Sequence, residues 1–339
     1  MMNKKSANIK ITLGIVGGFI LALVMIPVLF ALAWLVIRPE SDRLPTQTIQ
    51  EVEISEISEE MEEIEEDSFY ITVFRTEASE FQEIEFERYL IGVVAAEMPA
   101  LFELEALRAQ AIAARTYAMR ILEHDDYILD TVMHQVFLGD DQLRERWGDD
   151  FDAHFATIEE AVTSTKGIVL IYDDELITPM FFAMSSGATE NSEDVFGIER
   201  PYLRSVASTG YEDRDNFAVS ETFTIDELRE AFTDESIAAD NILVQGLSEG
   251  GNVDEIGIGA KTYTGREVRE TLGLRSAAFS ISNSRRGGIT FTTYGHGHGV
   301  GMSQHGANAM AQNGADYVEI LTHFYQNVTL KEKNFRESE

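Results

Sequence analysis

Apolar positions recur at helical spacing just before a proline in the first third of the chain. Leu90, Val93 and Val94 follow the i, i+3, i+4 pattern of a buried helical face. Pro99 disfavours helical backbone at the residue before it, so this helix must end near Met98. The pattern therefore predicts a buried helix whose last turn lies next to a sharp change of chain direction.

One acidic residue, Glu97, stands at the end of this predicted helix between Ala96 and Met98. Apolar neighbours disfavour the charged form of a carboxyl group by desolvation, and enzymes use this effect to keep a general acid protonated near neutral pH. Glu97 is therefore a candidate catalytic acid. The alternative is a solvated helix-end residue or an ion-pair partner of a nearby arginine.

A second helical pattern, rich in alanine, runs from Glu103 to Leu122. Its small residues would allow close helix packing. Arg108 and Arg115 are two turns apart and project from the same face, so both could reach toward whatever Glu97 faces.

Shorter patterns predict further helices and strands along the chain. Residues 149–164 form an amphipathic helix, and Thr224 begins a helix with Glu227 in capping-box spacing. Thr264 begins another helix. Predicted strands are 69–76, 168–172, 177–184, 242–247 and 253–258, with a hairpin formed by 278–282 and 289–294.

Two polar, glycine-containing segments are candidates for ligand binding. The first, Ser185 to Gly197, follows a predicted buried strand, and its hydroxyl and carboxyl groups suit a sugar-like ligand. An ordinary polar loop is the alternative. The second, Gly295 to Gly306, has glycines that permit unusual backbone angles and close approach to a ligand, and Ser303 can cap the helix that follows.

Three histidines of the second segment, His296, His298 and His305, raise the question of a metal. A His-x-His pair is a frequent ligand pair. The other interpretation is a glycine-shaped turn that lines a pocket with hydrogen-bonding imidazoles. Because no nearby carboxylate or cysteine completes an obvious set, we predict no metal and no cofactor.

The N-terminal part has the pattern of a membrane anchor. Residues 1–10 carry three lysines, and the apolar or small residues 11–37 exceed the roughly 20 needed to span a bilayer. The lysines predict a cytoplasmic N-terminus. The length of the apolar run predicts an uncleaved span, with a cleaved signal peptide as the alternative. Residues 38–67 contain a dense acidic run and predict an extended spacer.

Residues 68–339 are long enough for a large domain with its own core. Cysteine is absent and the net charge is −33. A domain outside the cytoplasm would therefore depend on packing without disulfides. The acidic surface argues against nucleic acid as a partner, because phosphate binding needs basic residues.

Four separated motifs together resemble the stage II sporulation protein D family. They are IGVVAAEMPALFELEALRAQAIAARTYA, HQVF, a serine and threonine loop that ends TENSEDVFG before PYL, and GHGHGVGMSQHGANAMA. The similarity spans nearly everything after Ser68. It implies an α+β fold in which mixed helices and short strands form a curved, cleft-bearing extracytoplasmic catalytic domain, residues 68–339, behind one N-terminal transmembrane helix.

The resemblance also implies an activity and partners. Such proteins are membrane-anchored lytic transglycosylases that cut peptide-free glycan strands of the cell wall during forespore engulfment. They cooperate with the amidase stage II sporulation protein P and the membrane protein stage II sporulation protein M. Glu97 matches the family's catalytic glutamate. The candidate substrate-binding residues are Arg108, Arg115, His134, Gln135, Ser186, Thr189, Glu190, Tyr202, His298, Ser303 and Gln304.

The chain departs from the family pattern in two places. The usual STSGG is replaced by AMSSG, residues 183–187, which affects some sugar contacts. Some relatives hold zinc with cysteines and a histidine. A zinc site of that type cannot form here, because the chain has His134 but no cysteine.

Three functional hypotheses follow. A lytic transglycosylase needs one essential acid, because the muramic acid 6-hydroxyl is itself the nucleophile. A hydrolase normally needs a second carboxylate, for which Glu190 or Asp194 is available. The alternatives to such an enzyme are a non-catalytic glycan-binding activator of a cell-wall amidase and, third, a histidine-based metallohydrolase.

Overall fold

The computed structural model describes residues 69–285 and 287–333. The predicted membrane span at 11–37 and spacer at 38–67 lie outside this part of the chain. Among the described residues, no helix is long and apolar enough to cross a membrane. The described part mixes helices and short strands, which confirms the predicted α+β class.

Helices and strands alternate irregularly along the chain. The α-helices of the described residues are α1 (Phe86–Glu97), α2 (Leu104–Leu122), α3 (Asp140–Trp147), α4 (Phe151–Thr163), α5 (Ser192–Phe196), α6 (Ile225–Phe232), α7 (Gly265–Leu272), α8 (Gln304–Gln312) and α9 (Tyr317–Phe324). The strands are β1 (Tyr70–Arg75), β2 (Glu80–Glu85), β3 (Ile128–Leu129), β4 (Ile168–Tyr172), β5 (Glu175–Leu176), β6 (Phe181–Phe182), β7 (Ala218–Phe223), β8 (Ile242–Leu247), β9 (Val253–Ile258), β10 (Lys261–Tyr263), β11 (Phe279–Asn283), β12 (Ile289–Tyr294), β13 (Met302–Ser303) and β14 (Thr329–Glu332).

The strands form small sheets. Their orders are β2-β1-β3, β14-β4-β5, β10-β9-β8, β11-β12-β7 and β13-β6. Strands β1 and β2 pair antiparallel from Tyr70 opposite Glu85 to Arg75 opposite Glu80, while β3 runs parallel to β1. The hairpin predicted from the pattern near the C-terminal end is confirmed, because β11 and β12 pair antiparallel.

Apolar side chains collect in two main cores. The first includes the buried faces of α1, α2, α4, β4 and α9. The second lies among α6, α7, β8, β9, β11 and β12. Glu97 belongs to an element of the first core, whereas α6 and α7 are built on the second.

Helix ends follow the sequence signals closely. Helix α1 ends at Glu97 because Met98, before Pro99, has extended backbone angles. Thr224 caps α6 and forms a capping box with Glu227, as the spacing predicts. Thr264 begins α7 as predicted and forms a second capping box with Glu267.

One strand prediction is wrong in extent. Only Phe181 and Phe182 of the segment 177–184 form a strand, β6. Pro179 has no N–H for a ladder, so the residues before β6 continue as irregular chain.

A buried ion pair joins the helices of the first core. Arg115 on α2 is fully buried and donates Nε and Nη2 to the two carboxylate oxygens of Glu87 on α1, at 3.0 and 2.6 Å. Its remaining hydrogen bonds go to the Val162 and Ile168 carbonyls and to Thr165 Oγ1. Arg115 thus connects α1, α2, the end of α4 and the start of β4.

The guanidinium of Arg115 is used entirely inside the core, so Arg115 makes no direct contact with a ligand in the cleft and can support the cleft only by fixing α1. Arg108 also points elsewhere. It contacts Glu105 Oε1 at 2.5 Å and Ser164 Oγ at 3.0 Å, and lies 3.7 Å from Glu160. These partners, not Glu97, hold the two arginines.

We predict that Arg115→Met destabilises the protein by about 3–5 kcal/mol, because it leaves the Glu87 carboxylate buried without a partner. Urea unfolding of the purified protein measures this change. Arg120→Met on the same helix is the matched control. Its partially exposed pair with Glu123 should contribute less than about 1 kcal/mol.

The double variant Glu87→Met with Arg115→Met separates pairing from packing. Removing both charges should restore part of the lost free energy of unfolding, because no buried charge then remains uncompensated. A double variant as unstable as the sum of the two single variants would show that the pair is not coupled.

Candidate active site

Glu97 lies at the wall of a cavity of about 270 Å³. The cavity is lined by Glu97, Tyr117, Val132, His134, Val136, Pro179, Met180, Phe181 and His298. Among these described lining residues, Glu97 is the one acid and none is lysine or arginine. The carboxyl group therefore meets the cavity without an ionic partner.

Two elements place the Glu97 carboxyl there. The end of α1 carries it, and Gln304, the first residue of α8, donates its Nε2 to Glu97 Oε2 at 3.2 Å. Burial raises the pKa of Glu97, and the hydrogen bond from Gln304 offsets only part of that rise. The expectation of a desolvated carboxyl at the helix end agrees with this geometry.

A loop between β3 and α3 brings His134 to the cavity. Gly92 of α1 allows the loop to lie close, because a Cβ there would stand 2.4 Å from the Leu138 carbonyl oxygen. The Leu129 N–H donates to His134 Nδ1 at 3.0 Å. Since Nδ1 accepts, the neutral ring carries its proton on Nε2, which remains available to a ligand as a donor.

Gln135, the neighbour of His134, has a different place. It is buried, accepts from the Tyr89 hydroxyl at 3.3 Å and donates to the Ala114 carbonyl at 3.3 Å. Its side chain fastens the loop to α1 and α2 rather than facing the cavity. In this structure Gln135 acts as a positioning residue, and its predicted contact with substrate stays a prediction.

His298 comes from the glycine-rich segment and is held as a neutral ring. The Val300 N–H donates to its Nδ1 at 3.1 Å, and Nε2 lies 3.0 Å from the Phe181 carbonyl, to which it donates. Burial lowers the pKa of His298 to about 4. Both ring nitrogens are engaged, so His298 shapes the cavity as a wall.

Glycines make this arrangement possible. Gly297 and Gly301 have φ of 118° and 78°, in the region that favours glycine. A Cβ on Gly301 would lie 2.0 Å from the Met180 carbonyl oxygen. The segment can therefore pass directly against the chain around β6.

The three histidines of this segment do not gather around one point. His305 packs its ring against Phe102 and Tyr211, with centroid distances of 5.1 and 6.0 Å. Within the described ranges, no cluster of three or more histidine or acidic residues is arranged to hold a metal ion. The ring of His305 is used for packing and that of His298 for internal hydrogen bonds.

Several predicted binding residues instead hold the loop framework. Thr189 is fully buried and bonds the Arg204 carbonyl and the Val206 N–H. The Tyr202 hydroxyl accepts from the Thr178 N–H at 3.1 Å, and the buried Ser303 caps α8. Ser186 is half-buried and donates to the Gly250 carbonyl at 3.5 Å.

The internal hydrogen bonds of these four residues have one physical reason, and their predicted role in substrate binding stays a prediction. Hydroxyl groups in a buried loop must satisfy their own backbone, and such partners are not visible in the sequence. Of the predicted set, the structure brings together Glu97, His134, His298 and Gln304, with Glu190 beyond His298 in an adjoining cavity.

Sequence reasoning missed Tyr117. It lies on α2 among small residues and lines the cavity with Glu97, and burial raises its pKa. A single bulky polar ring within an alanine-rich helix was the available signal. Val132, exposed at 87% of its surface, also lines this cavity and was missed.

The described part is thus an α+β domain with one carboxyl group at the wall of the cavity lined by Glu97, His134 and His298. A family model described as stage II sporulation protein matches residues 75–172. The chain is 39% identical over 272 residues to stage II sporulation protein D of Bacillus amyloliquefaciens, which is 77% of this chain and 78% of that protein.

Two further relatives extend the comparison. Stage II sporulation protein D of Bacillus subtilis (strain 168) is 39% identical over 275 residues, covering 77% of this chain and 79% of the relative. The amidase enhancer of the same organism is 27% identical over 295 residues, covering 71% and 40%. The chain belongs to the stage II sporulation protein D family, and this confirms the resemblance carried by the four motifs.

We predict that Glu97→Gln changes the pH dependence of stability. An unfolded glutamate has a pKa of about 4.3, and burial raises the folded value. The wild-type carboxyl therefore contributes full stability below the unfolded pKa and loses it as pH rises through the folded pKa. The amide side chain of the variant does not titrate and has no such dependence.

The free energy of unfolding of Glu97→Gln, relative to wild type, should therefore increase as pH rises from 4 to 8. Urea unfolding across this range measures it. Glu83→Gln on β2, an exposed carboxyl with no ion pair among the described residues, is the control and should show little change. A flat difference for Glu97→Gln would contradict a raised pKa.

Proposed function

We propose that this sporulation protein is a peptidoglycan lytic transglycosylase that cleaves peptide-free glycan strands in forespore engulfment. The observation that carries the proposal is a lone, desolvated carboxyl group, Glu97, at a cavity whose described lining holds no second acid. Hydrolytic glycosidases normally place two carboxyl groups across the bond. Lone acid catalysis suits a reaction in which the substrate supplies its own nucleophile.

The proposed reaction uses Glu97 twice. Its carboxylic acid donates a proton to the glycosidic oxygen between muramic acid and glucosamine, and the bond from that oxygen to the muramic C1 breaks. The muramic 6-hydroxyl oxygen then bonds to C1 and returns its proton to Glu97. The products are a free glucosamine 4-hydroxyl and a 1,6-anhydromuramic acid end.

The hydrogen bond from Gln304 can form with both the protonated and the ionised carboxyl group of Glu97. Gln304 donates to Oε2, so Oε1 is the oxygen left to carry the catalytic proton. After transfer, the same bond stabilises the carboxylate. His134, with its proton on Nε2, is placed to donate to a sugar oxygen, and the neutral His298 adds no positive charge that would lower the acid's pKa.

The positions of Glu190 and Asp194 support the transglycosylase over a hydrolase with a second carboxylate. Both line the adjoining cavity beyond His298 and not the cavity of Glu97. This separation favours the transglycosylase over hydrolysis within the proposal.

A second candidate is a non-catalytic, glycan-binding activator of a cell-wall amidase. The observation in its favour is the 27% identity to a protein named amidase enhancer. An activator would hold glycan in the same cleft and would tolerate the loss of Glu97. The two candidates therefore differ in the consequence of a single substitution.

We expect Glu97→Gln to lower turnover of peptide-free strands by about a hundredfold to ten-thousandfold, because the amide cannot act as the acid. Mass analysis of the products should show 1,6-anhydro ends with wild type. Gln304→Ala should cause a smaller loss, since it removes only the supporting hydrogen bond. Prolonged chelation should leave wild-type turnover unchanged.

Other outcomes point to the other candidates. Reducing ends would indicate a hydrolase, and loss of activity on chelation that zinc alone restores would indicate a histidine-based metal site. Full stimulation of an amidase by Glu97→Gln, with no strand cleavage by wild type, would favour the activator.

The proposed setting is the outer face of the cell membrane. Residues 11–37 would anchor the chain with residues 1–10 in the cytoplasm, and 38–67 would hold the catalytic domain toward the wall. Stage II sporulation proteins P and M are the proposed amidase and membrane partners. Cooperation with an amidase is chemically reasonable, because an amidase removes the stem peptides from the strands.

The topology has a direct test. Protease added outside intact protoplasts should digest residues 68–339, and the recovered protein should retain its N-terminal lysine-rich segment. A mature N-terminus near Trp34 would show cleavage of the apolar segment and contradict the anchor.

A further inference from the structure

A second cavity, of about 250 Å³, adjoins the Glu97 cavity at His298, which lines both. The second cavity lies between α5, the start of β9 and α7. Its lining includes Phe196, whose ring centroid is 5.4 Å from that of His298. A glycan strand long enough to fill both cavities would have to pass His298.

One wall of the second cavity carries an incompletely bonded carboxyl group. Glu190 is only 1% exposed. Its Oε1 accepts from Ser248 Oγ and from the Asn252 N–H, both at 2.9 Å. Its Oε2 is buried and has no hydrogen-bond partner among the described residues. A hydrogen-bond donor on a ligand would satisfy this oxygen, because an unmet buried acceptor is costly.

The α7 wall carries a complementary group. Arg269 donates Nε to the Leu274 carbonyl at 3.3 Å. Its two Nη groups make no hydrogen bond or ion pair within residues 69–285 and 287–333. Burial lowers the pKa of Arg269, so an arriving anion would offset the cost of desolvating the guanidinium.

Helix α6 shows that this arrangement is not required by the fold. Its Arg229 occupies the same helix position as Arg269 and donates Nε to the Ile237 carbonyl at 3.1 Å. Arg229 also pairs with Asp226 at 3.0 Å. Helix α7 has Arg266 at the position equivalent to Asp226, so Arg269 lacks the pair that its counterpart has.

We propose that the second cavity is a subsite for a muramic acid residue, in which Arg269 binds the free lactyl carboxylate and Glu190 accepts a hydrogen bond from a hydroxyl or amide N–H of the same sugar. This subsite rests on the proposed function, since it assumes that glycan enters the Glu97 cavity. It would make Arg269 a specificity residue, because a stem peptide converts that carboxylate into an amide.

The charges of the cavity define what can bind. Glu270 is paired with Arg266 at 2.8 Å, while Asp194 and Asp254 are exposed. These acids make the cavity a poor site for a free anion. The carboxylate must therefore be delivered by a sugar that also fills the cavity and bonds Glu190, so lactate alone should not bind.

Strand binding in the Glu97→Gln background, where cleavage is expected to be at least about a hundredfold slower, tests the subsite with the full-length protein. The probes are peptide-free strands and the same strands with their lactyl carboxylates reduced to alcohols. Glu97→Gln should bind the peptide-free strands at least about tenfold more tightly than the reduced strands, which is the effect of one charged hydrogen bond. Adding Arg269→Gln should abolish this preference.

Arg229→Gln, added in the same background, is the matched control and should retain the preference. A preference that survives Arg269→Gln would overturn the subsite, as would equal binding of the two strands by Glu97→Gln. Strands with stem peptides should bind like the reduced strands. These outcomes are independent of turnover, so failure of the subsite is distinct from loss of the transglycosylase proposal.

Glu190→Gln keeps an oxygen for Ser248 and Asn252 but places an amide where Oε2 was. This substitution should weaken the binding of both kinds of strand by the same factor and leave the preference for the lactyl carboxylate intact. Thermal unfolding checks that the variant is folded. Loss of the preference itself in a folded Glu190→Gln protein would contradict the separate roles given to Glu190 and Arg269.

Discussion

The contact between Arg115 and Glu87 is the constraint on which the first core depends. A guanidinium removed from water is tolerated only with its hydrogen bonds satisfied, and here the partners come from α1, the end of α4 and the start of β4. Because α1 is fixed to α2 by this pair, the far end of α1 is fixed as well. Glu97 is the last residue of that helix, so the core determines where the acid stands.

The glycine-rich segment supplies the other half of the site. It runs beside the chain around β6, where the Met184 N–H donates to the His296 carbonyl and the His296 N–H donates to the Met184 carbonyl. The same segment orients His298 and leads into α8 with Gln304 at its start. One stretch of backbone thus positions both the neutral ring of His298, which lines the cavity, and Gln304, which donates a hydrogen bond to Glu97.

Local signals in the sequence were sufficient for most helix ends. Pro99 stops α1, and the threonine and glutamate pairs begin α6 and α7, because each signal acts within four residues of the backbone it satisfies. The short polar helix α3 has little apolar periodicity and was not predicted. Its polar sequence resembles a surface loop when read alone.

The partners of polar side chains were much harder to predict. The contact of Glu97 with Gln304 joins residues 207 positions apart, and no local pattern encodes it. The resemblance placed Gln304 among the candidates but gave no partner. Arg115 shows the same difficulty, since its spacing on the helix suggested that it faces the cleft, whereas its side chain has its partners in the core.

The buried carboxyl groups of the described residues differ in how many of their hydrogen bonds are made, and this difference connects the fold with the proposed chemistry. Glu87, a buried carboxylate of the first core, is fully matched by Arg115. Glu97 has one neutral donor, and Glu190 leaves one oxygen without a partner among the described residues. Each carboxyl group lines a cavity, and His298 lines both cavities. Complete pairing would have stabilised either group further, but it would also have lowered the pKa of Glu97 and closed Glu190 to a ligand. The incomplete pairing therefore lowers the stability of the folded protein at the two cavities, where a bound substrate can supply the missing hydrogen bonds.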